Sequence, residues 1–543
     1  MLPQPENPSK SYEALFADID QGRIKVPIFQ RGFVWGKVQT AQLIDSLIKG
    51  YPIGTFIFWK TYEELRHIRN IGNVTLPDVP KGEPVHYVLD GQQRITSLYA
   101  VRKGVILDRD DETIDYKDIY INLDLPTDAD EQIATMEPPE QAIVISVHKM
   151  LTASLTEFIG VFTQDSLQKI EVYQARLRSY SFSTIVISNY PIDIACDIFT
   201  RINTGGTELT LFEIMVAKTF DVQQDFDLHH EYVRLLDNNG AGKDLEDVGY
   251  ETISSSTILQ CISVHLCKQA RRKDILKLDK QKFINEWPTV KDAIFIAVDY
   301  LRSHLHVPVS NLLPYDALLV PFSYFFIRNG GKKPSTRQNK LLAQYFWWAS
   351  LRNRFSSAVE TKLGQDIERI DAILREEAPS YQGEEVQLSL DGLIQHEFRA
   401  GEAFCKAVLC LLFSFHPRSF ADNATVEVGN AWLKQANSRN YHHFFPKGFL
   451  GKNNDSSFSP NLLVNITIVD DYLNKRTIRA KAPSDYMRKF AKGNPDLDDT
   501  MKTHLIDDLD DFGIWDDKYG QFIQKRGRRM LTELNKRLEP NLG

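Results

Sequence analysis

The chain has 543 residues, of which 43% are hydrophobic and 25% charged, with a net charge of -8 and an isoelectric point near 6.0. It is too long for a single hydrophobic core, so two or three domains are expected, and its composition is that of an ordinary soluble globular protein. The acidic balance excludes a nonspecific polybasic binder but leaves room for a local basic groove.

The five cysteines, Cys196, Cys261, Cys267, Cys405 and Cys410, form no CxxC pair. An odd count in a long chain points to reduced thiols in a cytoplasm, not to a disulfide frame or zinc ribbon. The N-terminus carries no basic and apolar signal segment, and the runs "LLVPFSYFFI" and "AFCKAVLCLLFSF" are shorter than the ~20 residues of a membrane helix. They read as core helices, with no membrane partner.

Residues 1–225 read as mixed α/β. "TAQLIDSLIKGYP" has helical spacing and closes on Gly, "TFIFWK" and "PVHYVLD" are β-rich, and "QRITSLYAVRKG" is a helix ending in Gly. The acidic "LDRDDETIDYKD" reads as a solvated loop. Residues 226–385 are dominated by helical patterns such as "NKLLAQYFWWASLRNRF", punctuated by "NGGKKPSTRQ". The polar "EEAPSYQGEEVQ" places the last boundary, and residues 386–543 form the third region. "IDDLDDFGIWDD" lacks the spacing of a calcium loop and reads as solvated.

No P-loop or dinucleotide fingerprint is present; "GAGKD" at 240–244 lacks the first Gly, the hydroxyl residue and a preceding strand. "HYVLDGQQRITSLYAV" reads instead as a strand, a sharp turn at Gly91 and a helix whose N-terminal amides could meet an anion. Arg94 could clamp a phosphate bidentately, and Asp90 could hold a metal or a ribose hydroxyl. Composition alone favours the plainer reading, a strand–helix corner with Asp90 as N-cap. "TRINTGGTELTLFE" adds Gly205–Gly206 and a Thr210-x-x-Glu213 capping box, either a helical corner or a glycine nest. "VPIFQRGFVW" interleaves Gln30 and Arg31 with aromatics, a pattern of base stacking and, more often, of core.

"VPIFQRGFVWGKVQTAQLIDSLIKGYPIGTFIFW", "YVLDGQQRITSLY" and "FTRINTGGTELT", in this order, closely resemble the N-terminal domain of GmrSD-type modification-dependent restriction endonucleases. The resemblance implies a ParB-like α/β fold that binds and hydrolyses a nucleoside triphosphate, whether GTP, ATP, CTP or UTP. Carried over, the motif falls on Asp90, Gly91, Gln92, Gln93 and Arg94, with Gln30, Arg31, Asn203 and Gly206 as further pocket residues.

In the last region, "NYHHFFPKGFL" sets two histidines against two phenylalanines and a proline, and "NITIV" and "VDDYLNKRTI" follow as a strand and a short helix. This resembles the ββα-metal arrangement of HNH nucleases, the domain that accompanies the N-terminal domain above. The resemblance implies His443 as general base with a pKa near neutrality, His442 and Asn474 as ligands of a divalent metal, and Asn465 as the residue that orients the His443 loop and ring. Relatives more often carry Asp at the position of His442; an imidazole there shifts preference from Mg²⁺ toward Mn²⁺. Lys475, Arg476, Arg479 and Lys481 would contact DNA phosphates, and "QKRGRR" at 524–529 is either a second such edge or a solvated helix face.

The expected protein is α+β and multidomain: a ParB-like α/β domain, a helical middle region and an HNH (ββα-metal) domain embedded in helices. The expected function is a cytoplasmic, nucleotide-regulated, metal-dependent DNA endonuclease of the type IV restriction class, acting on phage or other foreign, modified DNA. Competing readings are a ParB-like nucleotide-switched DNA clamp with an inactive HNH domain, and an HNH ribonuclease or toxin. The sequence leaves self-association into a homo-oligomer open.

Overall fold

Apolar runs in the first 190 residues assemble a five-stranded mixed sheet. The structure is a computed structural model describing residues 3–27, 33–63, 65, 67, 70–71, 73–109, 112–202, 210–221, 223–426, 429–430, 442–453, 458–469 and 478–539. The sheet strands are β1 (Ser9–Ser11), β2 (Ile24–Lys25), β3 (Phe56–Thr61), β4 (Val85–Asp90) and β5 (Ser181–Ser188), in spatial order β1-β5-β3-β4-β2. The central strand β3 runs parallel to β5 and antiparallel to β4, with a register irregularity that sets Ile57 opposite Asp90.

Helices α1 (Tyr12–Asp20), α2 (Lys37–Ile48), α3 (Gln92–Lys103) and α4 (Gln164–Ser179) close the core, where Leu15, Phe16, Ile44, Leu98, Ile170 and Leu177 are wholly buried. The helix ends follow local chemistry. Thr163 caps α4 by accepting from Ser166 N, and Gly104 takes the left-handed conformation that ends α3. The expected Thr210–Glu213 capping box opens α5 (Leu211–Thr219), with both reciprocal bonds formed.

One expectation is corrected. The acidic stretch read as a solvated loop forms an antiparallel hairpin, Ile106–Arg109 against Glu112–Asp115. Its acidic composition hides a period of two: Ile114 and Tyr116 face the core and Leu107 packs against it, while Asp108 and Thr113 face water.

The chain packs as two units, Met1–Leu228 and His229–Gly543. In the second, α8 (Leu319–Arg328) packs against α6 (Ser255–Cys267), α7 (Lys280–Ser303) and α10 (Val359–Leu374), and α9 (Thr336–Leu351) packs against α10. Both apolar runs noted in the sequence are buried helices, α8 and α11 (Ala403–Phe413). Among the described residues no helix is long and apolar enough to cross a membrane.

The segment read as a boundary near 385 is pinned to these helices. The Glu384 carboxylate pairs with Arg354 at 2.8 Å and also with Arg369, while its carbonyl accepts from Trp348 Nε1 at 2.7 Å. Asp366, fully buried, completes this network with both arginines, so every charge in it has a partner.

Three further helices frame the histidine pair: α12 (Lys447–Asn453), α13 (Pro483–Gly493) and α14 (Tyr519–Leu538). The pair itself forms β6 (His442–His443), antiparallel to β7 (Ile466–Thr467). "IDDLDDFGIWDD" exposes its aspartates at 508, 510 and 511 but buries Leu509, Phe512 and Ile514, so it is an anchored turn and not a free loop.

Candidate functional site

The histidine loop is built by a short ladder and one amide. β6 and β7 set His442 opposite Thr467 and His443 opposite Ile466. Immediately after the pair, the fully buried Asn465 clamps the chain. Its Oδ1 accepts from Phe445 N at 2.8 Å, and its Nδ2 donates to Phe445 O at 2.9 Å and Pro460 O at 3.1 Å. Phe444 N donates to the Asn465 carbonyl at 2.8 Å. Phe444 and Phe445 then lie against Phe522 and Tyr486, and the Tyr486 hydroxyl donates to Phe444 O.

Neighbouring residues on a strand project to opposite faces, and the two imidazoles separate accordingly. His442, 3% exposed, turns its ring edge-on to Tyr486. His443 turns to Asn461, whose Oδ1 lies 3.1 Å from Nε2. The Asn461 amide is oriented by its other end, which donates from Nδ2 to Phe398 O at 3.1 Å. With Oδ1 as acceptor, Nε2 carries the ring proton and Nδ1 keeps its lone pair.

Burial pushes the His443 pKa down to about 4, with Lys447 adding to the fall and the Asn461 hydrogen bond opposing it. This corrects the expectation of a near-neutral pKa. The loop buries the ring, and burial penalises the imidazolium.

β7 is held from behind by a residue that sequence reasoning left undecided. Arg526 of α14, completely buried, donates to Val464 O at 2.6 Å, Ile466 O at 2.8 Å and His504 O at 3.1 Å. "QKRGRR" is therefore not a free cationic edge: Arg529 pairs with Asp507 and Glu533, and Lys525 with Asp511. Gly527 lets α14 approach closely, since a Cβ there would stand 2.4 Å from Ile394 Cγ2.

Of the four basic residues assigned to DNA, Arg479 and Lys481 are exposed on the turn before α13. That turn rests on α12, where a Cβ at Gly448 would meet Ala480 at 2.9 Å. Lys475, Arg476 and Asn474, the second expected metal ligand, lie outside the described residues, as do Gln30, Arg31, Asn203 and Gly206. Of the two metal ligands carried over, His442 is the one described; its imidazole is a fitting donor for a borderline divalent ion.

The first unit realises the strand–turn–helix. β4 ends at Asp90, and Gly91 takes φ 90° as the N-cap of α3. Only glycine fits there, because a Cβ would lie 2.4 Å from Phe56 Cδ1. Gln92 and Gln93 are buried, and Gln93 Oε1 accepts from Val34 N at 2.9 Å and Trp35 N at 3.2 Å. The motif thereby pins the chain just after the Gln30–Arg31 segment.

Arg94 has occupations of its own: it donates to Ile53 O and to Thr55 O at 3.1 Å, pairs with Asp90 at 3.2 Å and lies over the Phe56 ring. The guanidinium read as a surface clamp also holds the turn between α2 and β3. A cleft of about 560 Å³ in this unit, lined by Lys49, Tyr51, Asp128, Asp130, Arg176 and Tyr180 among others, includes none of Asp90–Arg94.

Sequence reasoning missed Asn461 and Arg526. Asn461 sits in "SPN", a turn signal that carries no hint of the imidazole it holds, and Arg526 is one cation among several in its run. The chain is similar over most of its length to an uncharacterized protein of Methanocaldococcus jannaschii, 22% identical over 511 residues that cover 87% of this chain and 85% of the relative. Residues 12–220 match the family model of the GmrSD restriction endonuclease, N-terminal domain, and the first unit is thus similar to that domain.

Proposed function

We propose that the protein is a nucleotide-regulated, metal-dependent DNA endonuclease of the type IV restriction class, with an HNH site around His443 in the second unit and a ParB-like nucleotide site at Asp90–Arg94 in the first. The observation that carries the reading is His443 itself: a neutral imidazole whose Nε2 is engaged by Asn461, on a loop clamped by Asn465. Its Nδ1 is then the atom that takes a proton from the attacking water. Asn461 fixes the tautomer, and Asn465 fixes the loop's path.

His442 and Asn474 would hold the divalent cation, Mg²⁺ or Mn²⁺, which supplies positive charge where the pentavalent phosphorus accumulates negative charge. The exposed Arg479 and Lys481, with Lys475 and Arg476, would contact backbone phosphates. In the first unit the glycine turn and the N-terminus of α3 suit an anion such as a triphosphate. The match of residues 12–220 to a restriction-endonuclease domain supports DNA as the target, and foreign, modified DNA is the form of it proposed here.

The test is cleavage of plasmid and of modified and unmodified phage DNA by the full chain, with and without each nucleoside triphosphate, in Mg²⁺ or Mn²⁺. Cutting that requires the cation and is abolished by His443→Ala supports the reading. Undiminished cutting in excess chelator would overturn it, cutting of RNA alone would favour the ribonuclease, and DNA binding without cutting in any cation would favour the clamp.

A further inference from the structure

We propose that His396, Glu402 and Cys405 form a binding site for a divalent cation of the Zn²⁺ class, separate from the histidine pair. Among the described residues these are the three whose His, Cys or carboxylate ligand atoms come together, all within 4.8 Å of one another. His396 Nε2 lies 3.1 Å from Glu402 Oε1, and Cys405 Sγ lies 3.9 Å from Glu402 Oε2. Zinc bonds of ~2.0–2.3 Å in a tetrahedron give ligand–ligand edges of roughly 3.3–3.7 Å, so small side-chain shifts bring the three donors onto one ion. Thiolate, imidazole and carboxylate are the mixed donor set of a borderline cation and a poor one for Mg²⁺.

A second observation points the same way. His396 Nε2 is buried and makes no hydrogen bond, although Glu402 Oε1 is within ion-pair distance. A salt bridge built for its own sake would align the N–H on the carboxylate; donors that converge on a common centre need not point at each other. His396 and Glu402 also line a cleft of about 610 Å³, with Phe404, Arg352 and Glu385, that includes neither histidine of the pair. The cleft gives an ion a way in and leaves its fourth position open to water or a small ligand. Cys405 closes the site from the interior, where it is fully buried.

The local structure is suited to hold such an ion. Cys405 lies in the first turn of α11, and His396 precedes it on a stretch bonded to the Asn461 segment: Leu463 N donates to His396 O at 2.8 Å and Phe398 N to Asn461 O at 2.8 Å. Asn461 is the residue that holds the His443 ring. An ion at His396–Glu402–Cys405 would thus stiffen the segment on which that ring depends, a consequence that rests on the proposed nuclease site, although the ion site itself does not.

The experiment is a Co²⁺ titration of the full-length, chelator-stripped protein, read by absorption so that nuclease activity plays no part. The expected result is a thiolate-to-cobalt charge-transfer band that saturates at one equivalent and is displaced by Zn²⁺. Cys405→Ser should remove the band, and His396→Gln and Glu402→Gln should each weaken binding by at least the ~10–100-fold typical of a lost supporting contact to a metal site. The band should persist in His442→Ala, His443→Ala and in Cys267→Ser, which removes the exposed thiol. Circular dichroism checks folding, and His396→Gln, at a half-buried position, serves if the buried Cys405 variant misfolds. Absence of a charge-transfer band in the wild type, its survival in Cys405→Ser, or its loss in Cys267→Ser would each overturn the proposal.

Discussion

Replacing Asn465 tests whether one buried amide builds the histidine loop. Asn465→Ala leaves Phe445 N–H without its acceptor and takes the donor from Phe445 O and Pro460 O. A buried unsatisfied N–H costs ~1–3 kcal/mol, and a lost bond to a carbonyl, which keeps a second lone pair, costs less. The sum is about 3 kcal/mol. Asn465→Asp is the sharper probe. It retains an oxygen for Phe445 N–H but turns a carboxylate toward two carbonyls at a site with no exposure, so it should destabilise at least as much as alanine. Urea unfolding at constant slope should register both losses, and melting should fall by roughly 4–5 °C for a unit of this size. An aspartate variant as stable as the wild type would mean that the amide does not hold these carbonyls.

Other expectations follow from the same geometry. His443→Ala should lower cleavage by ~100–10,000-fold, the usual loss of a general base. His442→Ala should also be inactive while His442→Asp recovers cutting and accepts Mg²⁺ more readily; activity in Asp at 443 but not at 442 would show the roles reversed. Arg94→Ala should abolish nucleoside triphosphate hydrolysis and also lower the melting temperature of the first unit, because it strips the donor from Ile53 O and Thr55 O; unchanged turnover would place the nucleotide elsewhere. Burial holds the pKa of His86 at about 4 and of His504 at about 3, below the ordinary 6.5. The unfolded chain therefore binds more protons below pH ~6.5, and stability present above that pH is lost toward pH 4 at up to ~1.4 kcal/mol per unit for each histidine. Denaturation midpoints that stay flat from pH 7 to 5 would contradict this.

What was legible in the sequence were features whose signal is local. Gly91 announced a turn because only glycine takes that conformation beside Phe56, and Thr210 with Glu213 announced a helix start because both bonds of the box lie within one turn. The HHFF segment drew notice because adjacent imidazoles amid aromatics need a reason. What stayed hidden depends on distant partners. Composition could not distinguish Arg526, buried on three carbonyls, from the solvated Arg528 two residues on. Nor could it find Asn461, whose meaning comes from Phe398 and His443. The hairpin at 106–115 was missed because its aspartates outnumber the apolar residues that set its register. Glu384 looked like linker because its partners, Arg354 and Arg369, come from the preceding helices.

The depressed pKa of His443 fits a base only if the substrate restores its basicity. A ring at about 4 is fully neutral at physiological pH, which gives a ready acceptor with little proton affinity. A phosphodiester brings a negative charge to the ring. At ~4 Å and an effective dielectric of ~20 that charge is worth about 4 kcal/mol, or roughly three pKa units, enough to return His443 to near neutrality. A divalent cation at the proposed site would oppose this, so the restored value would fall between the two limits. The pH dependence should therefore differ between free and substrate-bound protein: the acid limb of kcat/KM, which reports the free enzyme, should lie near 4, and that of kcat should lie higher. Asn461→Leu, which removes the amide that binds Nε2, should lower both limbs, since that hydrogen bond opposes the fall. If the two limbs coincide near the ordinary 6.5, the ring is solvated in the working protein and the buried geometry is not the one that cuts.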